Sequence, residues 1–293
     1  MKGLIVINAY SENGDYLYQA HRLLEEFSFR GVCVELYKNR CGMGSILPNG
    51  EIELATDADF AVFLDKDKYV MRLLEQKGVR LFNPASAIEL CDDKMLTHLH
   101  LAQKGIPMPK IIPAPFCYTP QADIPETYTK TLISSLGLPV VVKHSYGSLG
   151  REVFLAKTED ELFTLAQNLR LTPHFYQQYV AESHGKDLRV IAVGKQPIAA
   201  MLRTSNEDFR SNIALGGRGE PFALTQEIIT LTQKITSALS LDYCGIDFLF
   251  GKEGLILCEV NSNAFFMGME KATGINIAAA YTEYILQTLK EKV

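Results

Sequence analysis

Two apolar runs on either side of a short glycine-bounded turn are the feature that most constrains how this chain can fold. The runs are Tyr243 to Phe250 and Leu255 to Asn263, and the turn between them is Gly251 to Gly254. This pattern predicts a β-hairpin. Helical periodicity at Thr225–Leu239 and Ile275–Leu289 predicts the helices that cover the sheet to which the hairpin belongs.

Three polar side chains, Asp247, Glu259 and Asn261, interrupt these apolar runs. Glu259 and Asn261 are two residues apart, so on a strand they point to the same face, and Asp247 on the partner strand can lie within one register step of them. Two carboxylates and an amide oxygen suit a hard cation such as Mg²⁺, which takes waters and substrate phosphates as its other ligands. A sheet with one solvated polar face is the alternative that these three residues leave open.

Composition limits the class of protein. A chain of 293 residues is long enough for two or three domains, and its net charge of -5 argues against a nucleic-acid binder without excluding a local pocket for phosphates. The six cysteines show no paired CxxC spacing, which predicts neither a zinc site nor a redox motif and fits a reducing cytoplasm. No apolar run approaches the roughly 18 residues of a membrane span. We therefore expect a cytoplasmic protein that binds neither nucleic acid nor membrane.

The first part of the chain alternates between strand and helix patterns. Strands are predicted at Leu4–Ala9, Val32–Leu36, Ala61–Leu64 and Leu81–Asn83, and helices at Tyr16–Arg30 and Lys66–Lys77. Asp65 is placed to cap the second helix, and the stretch 39–59 is a loop or a β-ribbon. This alternation predicts a small, mostly parallel α/β domain that ends near Leu90. Asp92-Asp93 is then expected to cap a helix that runs to Lys104.

A glycine-containing loop, Tyr146 to Val153, lies between two predicted strands, Pro139–Lys143 and Val153–Ala156. Glycines let backbone N–H groups wrap phosphate oxygens, and Lys143 at the end of the first strand can reach a phosphate. No GxxxxGK[ST] run occurs, so the loop is not a P-loop. An ordinary glycine-rich turn remains the alternative. Lys94 is a second candidate phosphate contact, with a solvated surface lysine as its alternative.

Further candidates lie on the strands that follow. The segment Gln177 to Val180 ends a strand and can read adenine through its backbone, and Asp187 can accept hydrogen bonds from ribose hydroxyls. Arg189 and Arg203 lie on apolar strands, where a guanidinium needs a buried anion, either a ligand or a structural carboxylate. Arg210-Ser211-Asn212 precedes Gly216-Gly217 in a loop suited to closing over a polyphosphate or an acidic substrate.

In this order, a set of short motifs resembles the ATP-grasp superfamily and, within it, the RimK-type amino-acid ligases. The motifs are Asp93-Lys94, Gly105 to Pro109, Lys143 with Gly147 to Gly150, Lys186 to Arg189, Phe209 to Asn212, Gly245 to Asp247, Glu259 to Ser262, and Lys271 to Gly274. The resemblance runs from about residue 80 to the end of the sequence. It implies an α/β (α+β) ATP-grasp fold with a pre-ATP-grasp domain at 1–90, a central subdomain at 91–176 that carries the glycine-rich loop, and a C-terminal subdomain at 177–293 that carries the metal site.

The resemblance also implies roles for individual residues. The ATP contacts are expected at Lys94, Lys143, Gly147, Ser148, Gly150, Gln178, Tyr179, Val180, Asp187 and Arg189, with Lys94 and Lys143 on the phosphates, Gln178 to Val180 around adenine and Asp187 on the ribose side. The transferring phosphate and the substrate carboxylate are expected at Arg203, Arg210 and Asn212. Two Mg²⁺ or Mn²⁺ ions are expected at Asp247, Glu259 and Asn261.

The chemistry that the resemblance implies is the activation of a carboxylate by ATP to an acyl phosphate, which an amine then converts to an amide. No side-chain nucleophile is needed, and the sequence contains no GxSxG elbow or catalytic-cysteine context. The leading hypothesis is a ligase that adds an amino acid such as glutamate to a small metabolite, peptide or carrier protein. A D-alanine–D-alanine-type ligase and an ATP-binding regulatory module without ligase activity are the alternatives, and the complete Asp247, Glu259 and Asn261 set argues against the second.

Two positions depart from the family pattern. Gln178 stands where many relatives carry a glutamate, which leaves the backbone contacts to adenine intact. The segment Asn263 to Phe266 stands where relatives often carry Ser-Pro-Gly after the first serine, close to the acceptor pocket. The sequence therefore identifies neither the acceptor nor the number of residues added. It is compatible with a homo-oligomer but does not specify the oligomeric state.

Overall fold

The computed structural model describes residues 1–10, 14–40, 42–212 and 216–291. The N-terminal part is a four-stranded parallel sheet in the order β2-β1-β5-β6. Its strands are β1 (Lys2–Asn8), β2 (Cys33–Asn39), β5 (Phe60–Phe63) and β6 (Arg80–Phe82), with helices α1 (Gly14–Phe29) and α2 (Lys68–Gln76). The stretch 39–59, for which a loop or a β-ribbon is predicted, contains an antiparallel pair, β3 (Gly44–Ile46) and β4 (Ile52–Leu54). The predicted parallel α/β arrangement of this part is confirmed.

One predicted helix cap needs correction, and a second is confirmed. Helix α2 is capped by Asp67, whose carboxylate accepts from the N–H groups of Tyr69 and Val70, and not by Asp65. Asp65 is instead buried and accepts a hydrogen bond from Asn39 at 3.1 Å. The predicted cap at Asp92-Asp93 is confirmed, because the carboxylate of Asp93 accepts from the N–H groups of Met95 and Leu96. The helix that it caps, α4 (Lys94–Leu101), ends before the predicted Lys104, and a separate helix, α3 (Ala85–Asp92), precedes it.

The central part is an antiparallel sheet in the order β7-β10-β8-β9, with two helices on one face. These elements are β7 (Ile111–Pro113), α5 (Glu126–Leu136), β8 (Val140–His144), β9 (Val153–Ala156), α6 (Glu159–Leu169) and β10 (His174–Gln178). Side chains of β8 alternate between the two faces. Val140 and Val142 pack against α5 and α6, whereas Val141 and Lys143 line a cavity on the other side. Strand β10 runs across residue 176, where the sequence predicted a boundary.

The C-terminal part is a five-stranded antiparallel sheet in the order β13-β12-β11-β14-β15. Its elements are β11 (Lys186–Val193), β12 (Gln196–Thr204), β13 (Arg218–Pro221), α7 (Gln226–Leu239), β14 (Tyr243–Phe250), β15 (Leu255–Asn261), α8 (Met267–Thr273) and α9 (Ile277–Lys290). The predicted hairpin is confirmed as β14 and β15. Leu188 and Val190 of β11 pack in a core with Ile228 and Ile235 of α7, so the polar residues between them face the opposite side.

A single apolar cluster joins the N-terminal and C-terminal sheets. It includes Phe27 and Phe60 from the first sheet's layer and Tyr243, Phe266 and Tyr281 from the second, each at most 1% exposed. The rings of Tyr243 and Tyr281 stack with centroids 4.7 Å apart. The base of the hairpin is therefore embedded in a core that both sheets share. Across the described ranges, no helix has the length and apolar character needed to cross a membrane.

Candidate active site

A cavity of about 520 Å³ lies between the central and C-terminal sheets. The cavity side of β8, the glycine loop, the end of β10 and the polar faces of β11, β12, β14 and β15 form its walls. Every residue predicted to contact ATP, metal or substrate lines this cavity except Gln178. The structure thus brings together candidates that are spread over more than 160 positions of the sequence, from Lys94 to Asn261.

The three predicted metal ligands lie together at the hairpin. Asp247 pairs directly with Glu259 across the two strands, and Asn261 follows on the same face. The register shifts next to this pair, because Phe248 faces Leu257 and leaves Cys258 as an extra residue, a β-bulge. Leu257 and Val260 point into the core while Cys258, Glu259 and Asn261 line the cavity. The bulge therefore turns two successive side chains toward the cavity.

The donor set fits a hard cation. The Glu259 carboxylate forms no ion pair with any described residue, and the Nδ2 atom of Asn261 is buried without a hydrogen-bond partner in the described part of the chain. The carboxylate and the amide Oδ1 are ligand types for a hard cation, and the unsatisfied Nδ2 is a donor suited to an oxygen of a bound ligand such as a phosphate. Among the described residues, no three His, Cys, Asp or Glu side chains form a group that could hold a metal ion. The candidate set here has two carboxylates, and its third donor is the amide of Asn261.

Asp247 is held by two arginines. Arg189 donates to it through Nε at 2.7 Å and Nη2 at 2.6 Å, and Nη2 of Arg203 lies 3.0 Å from its Oδ2. Burial by itself would raise the pKa of Asp247, but the guanidinium groups of Arg189 and Arg203 lower it to about 2. Asp247 is therefore an anion at neutral pH although it is only 4% exposed.

Asp187 is the second carboxyl group in this row, and burial raises its pKa although Arg203 and Arg189 act in the opposite direction. It accepts from Nε of Arg203 at 2.6 Å, and both side chains are buried. Burial would lower the pKa of Arg203, and the carboxylates of Asp247 and Asp187 outweigh it and raise that pKa, so the guanidinium stays charged. Arg189 and Arg203 are therefore both paired with structural carboxylates, which is one of the two alternatives that the sequence left open for them. A role of Asp187 on the ribose stays a prediction.

Two buried lysines have no carboxylate partner among the described residues. Lys94 is 9% exposed, and its Nζ donates to the carbonyl oxygen of Gly147 at 2.7 Å. Lys143 is 4% exposed, and its Nζ lies 3.5 Å from Sγ of Cys258. The solvated-surface alternative for Lys94 is wrong, because the side chain is buried. Burying an ammonium without an anion is costly, so a cavity with two of them favours a polyanionic ligand.

The glycine loop is held from both sides. Lys94 contacts the carbonyl of Gly147, and Arg210 donates through Nη1 to the carbonyl of Gly150 at 2.6 Å. Nη1 of Arg210 also donates to the carbonyl of Val153, its Nε and Nη2 donate to Asp208, and Asn212, two residues later, lines the cavity. In the loop that was predicted to close over a ligand, residues 213–215 lie outside the described residues.

Two glutamines at the end of β10 point in opposite directions. Gln178, the predicted adenine contact, is exposed and absent from the cavity wall, although Tyr179 and Val180 line it. Gln177 is 2% exposed, lines the cavity and has an Oε1 atom with no partner in the described part of the chain. Strand alternation accounts for the difference. Gln177 pairs with Val141, a cavity residue of β8, and this pairing is the signal that the sequence alone did not supply.

The far end of the cavity is built partly by the N-terminal domain. Tyr16 and Lys66 line it together with Phe265 and Lys271, and the rings of Tyr16 and Phe265 meet edge-on at 4.7 Å. Asn263 Nδ2 donates to the carbonyl of Asp65 at 2.9 Å. The divergent segment 263–266 therefore docks on the N-terminal domain, a contact that no local pattern predicts because the contacting residues are 198 or more positions apart.

Comparison with known proteins identifies the family. A sequence model of the RimK-like ATP-grasp domain matches residues 91–285. N-acetylaspartylglutamate synthase A of Homo sapiens is 36% identical over 231 residues, which are 78% of this chain and 58% of that protein. Beta-citrylglutamate synthase B of Danio rerio is 35% identical over 232 residues, 78% of this chain and 56% of that protein. The chain spans less than two thirds of the length of these two relatives. It belongs to the RimK-like ATP-grasp family.

A bacterial relative agrees with this assignment, and two solved structures share the fold. A probable alpha-L-glutamate ligase of Xanthomonas euvesicatoria is 35% identical over 225 residues, 75% of this chain and 73% of that protein. D-alanine–D-alanine ligase from Bacillus anthracis complexed with ATP matches with a TM-score of 0.75 at 17% identity, covering 100% of both chains. A RimK domain ATP-grasp protein from Sphaerobacter thermophilus matches with a TM-score of 0.70 at 17% identity, covering 98% of this chain and 100% of that one. The predicted α/β ATP-grasp fold is confirmed.

Proposed function

We propose that this protein is an ATP-dependent ligase that joins a carboxylate to an amine through an acyl phosphate and releases ADP and phosphate. The observation that carries the proposal is one cavity lined both by the buried lysines Lys94 and Lys143 and by the metal-type donor set around Glu259. Among the described residues, these two ammonium groups and the Glu259 carboxylate form no ion pair. This pairing suits a metal–triphosphate complex, in which phosphate oxygens meet both the lysines and the ion.

Each group has a proposed task. Lys94 and Lys143 bind phosphates under the glycine loop, while Tyr179, Val180 and Gln177 surround adenine. Asp247, Glu259 and Asn261 would hold two ions, Mg²⁺ or Mn²⁺. When bound, such ions neutralise phosphate charge and polarise the γ-phosphorus toward attack. Two solved neighbours support this assignment: PsnB, an ATP-grasp ligase, is known with Mg and ADP, and a D-alanine–D-alanine ligase is known with ATP.

The proposed reaction has two steps. An oxygen of the substrate carboxylate attacks the γ-phosphorus, an O–P bond forms, and the bond to ADP breaks with the electron pair going to ADP. The amine nitrogen then attacks the acyl carbon, the bond to phosphate breaks, and the nitrogen loses a proton. Arg203 and Arg210 lie on the cavity wall where they can meet the transferring phosphate and the substrate carboxylate. The chain's contribution is charge neutralisation and positioning.

Glutamate is the amine substrate that we propose. N-acetylaspartylglutamate synthase A, beta-citrylglutamate synthase B and the probable alpha-L-glutamate ligase share glutamate in their names. The carboxylate partner is a small acid, a peptide or a carrier protein, and the wall formed by Tyr16, Lys66, Asn263 and Phe265 is where it would be selected.

The test is ADP release from a panel of carboxylates crossed with amines. The carboxylates are N-acetylaspartate, citrate and a peptide with a C-terminal glutamate, and the amines are L-glutamate, L-aspartate and D-alanine. ADP release that requires both partners, with glutamate the best amine, is the expected result. Release with D-alanine serving as both partners would indicate the D-alanine–D-alanine type. Mg·ATP binding without turnover on any pair would indicate a regulatory module.

A further inference from the structure

Asn83, which directly follows β6 of the N-terminal sheet, uses its whole side-chain amide on the backbone of the hairpin region. Its Nδ2 donates to the carbonyl oxygens of Tyr243 at 2.8 Å and Ser262 at 2.9 Å. Its Oδ1 accepts from the N–H groups of Asp242 at 2.7 Å and Tyr243 at 2.9 Å. The residue is 1% exposed. Both donors and both lone pairs of the amide are therefore satisfied.

These bonds fall at the open end of the hairpin, where Oη of Tyr243 also donates to the carbonyl of Ala264 at 2.6 Å. At the closed end, the turn is fixed by a hydrogen bond from Gly251 N–H to the Gly254 carbonyl at 2.8 Å. At the open end, the last paired residues are Gly245 and Asn261. Tyr243 and Ser262 lie beyond that pair, and Asn83 connects them. A side chain of the N-terminal domain thus bridges β14 and β15 at the position just beyond their last backbone pairing.

We propose that Asn83 is a positioning residue for the metal site. Ser262 directly follows Asn261, so the bond from Asn83 to its carbonyl holds the backbone of the amide ligand against β14. Mg²⁺ requires near-ideal octahedral geometry, and a small displacement of one ligand weakens its binding. The inference rests on the proposed function, because it needs the Asp247, Glu259 and Asn261 set to bind metal. Asn83 lies outside residues 91–285, which match the family domain.

A role of Asn83 in positioning the metal ligand can be distinguished from a purely structural role, because the same interface offers a matched control. Arg80 lies three positions earlier on β6 and forms a bidentate ion pair with Asp242, with both contacts at 2.8 Å. This pair also ties the N-terminal domain to the start of β14, but it makes no contact with Ser262. Arg80→Ala should weaken the interface without releasing Asn261.

The experiment measures the Mg²⁺ concentration that gives half-maximal binding of a non-hydrolysable ATP analogue, by calorimetry, alongside the melting temperature. Asn83→Ala should raise that concentration at least tenfold while analogue affinity in EDTA changes less than twofold. Arg80→Ala should lower the melting temperature and leave the Mg²⁺ requirement within twofold of the unaltered protein. Asn83→Ser, which supplies one hydroxyl in place of the carboxamide, replaces the alanine variant if that variant does not fold, with the same criteria.

Two results would overturn the inference. One is an unchanged Mg²⁺ requirement in the Asn83 variant, and the other is an equal shift in both variants, which would indicate general loosening of the interface. If the unaltered protein bound the analogue with no dependence on Mg²⁺, the proposed function would fail as well. That outcome is distinct, because it appears before any substitution is made.

Discussion

At the scale of single residues, Glu259 is the side chain on which the proposed chemistry depends most. It is a carboxylate without a cation partner in the described ranges, directly opposite Asp247. Glu259→Gln should lower kcat/KM for ATP by about 10²–10³-fold, the loss associated with one strong electrostatic contact in a transition state. The measurement is ADP release with saturating co-substrates. Glu253→Gln, at an exposed position in the turn of the same hairpin, is the control and should keep full activity. Equal activity in both variants would remove Glu259 from the site.

The two glutamines of β10 provide a second comparison at this scale. Gln177→Leu leaves adenine without a polar side-chain partner and should raise the KM for ATP about tenfold, equivalent to one hydrogen bond of about 1.4 kcal/mol. The preference for ATP over GTP should fall with it. Gln178→Leu changes the same residue type one position later, on the exposed side, and should leave both quantities unchanged. The reverse order of effects would show that Gln178 reads the base.

Asp247 gives a pH dependence whose sign is determined by its two arginines. Its pKa of about 2 in the folded protein is below the value of about 3.9 for a free aspartate, so the unfolded chain binds more protons in acid. Its contribution to stability, roughly 2–3 kcal/mol, is complete above about pH 5 and is lost as the pH falls toward 2. Urea unfolding of the unaltered protein and Asp247→Asn should therefore differ most near pH 6 and converge toward pH 2. A difference that is independent of pH would contradict this.

At the scale of elements, the glycine loop depends on backbone freedom at one position. Gly147 has φ of +147°, and a Cβ there would lie 2.7 Å from Oε2 of Glu152. Gly147→Ala should distort the loop and raise the KM for ATP tenfold or more, with a small change in melting temperature because the loop is at the surface of the cavity. The control is Gly50→Ala, where φ is +85° and nothing lies within 4 Å of the added methyl group. It should cost about 1 kcal/mol of stability and leave ATP binding intact.

At the scale of the whole molecule, the apolar cluster shared by the N-terminal and C-terminal sheets should make the two unfold together. Phe266 is 0% exposed in that cluster, and the centroid of its ring lies 6.1 Å from that of Tyr18 and 6.5 Å from that of Tyr243. Phe266→Ala should lower the free energy of unfolding by about 3–5 kcal/mol. The measurement is denaturant unfolding followed by circular dichroism and tyrosine fluorescence, and the two transitions should coincide. Phe116→Ala, at a position 70% exposed, should change stability by less than about 0.5 kcal/mol. Separate transitions for the two probes would contradict a shared core.

Local sequence patterns are sufficient to predict most of the individual strands and helices. Apolar runs and glycine turns located the hairpin β14–β15 and the strands that carry Lys143, Arg189 and Arg203, because strand formation follows from side chains that alternate or continue over a few neighbouring residues. Spacing by two placed Glu259 and Asn261 on one face. The order of these motifs was enough to predict the family and the ATP-grasp fold.

The folded chain sets which side chains come into contact. It paired Arg189 with Asp247 and Arg203 with Asp187, turned Gln177 instead of Gln178 into the cavity, and brought Asn83 to the open end of the hairpin. Strand order and register join residues that lie far apart in the sequence, and no local pattern carries that information. The bulge at Cys258 is a second example. One residue without a partner on β14 changes which side chains of β15 face the cavity, and its position depends on the pairing with β14.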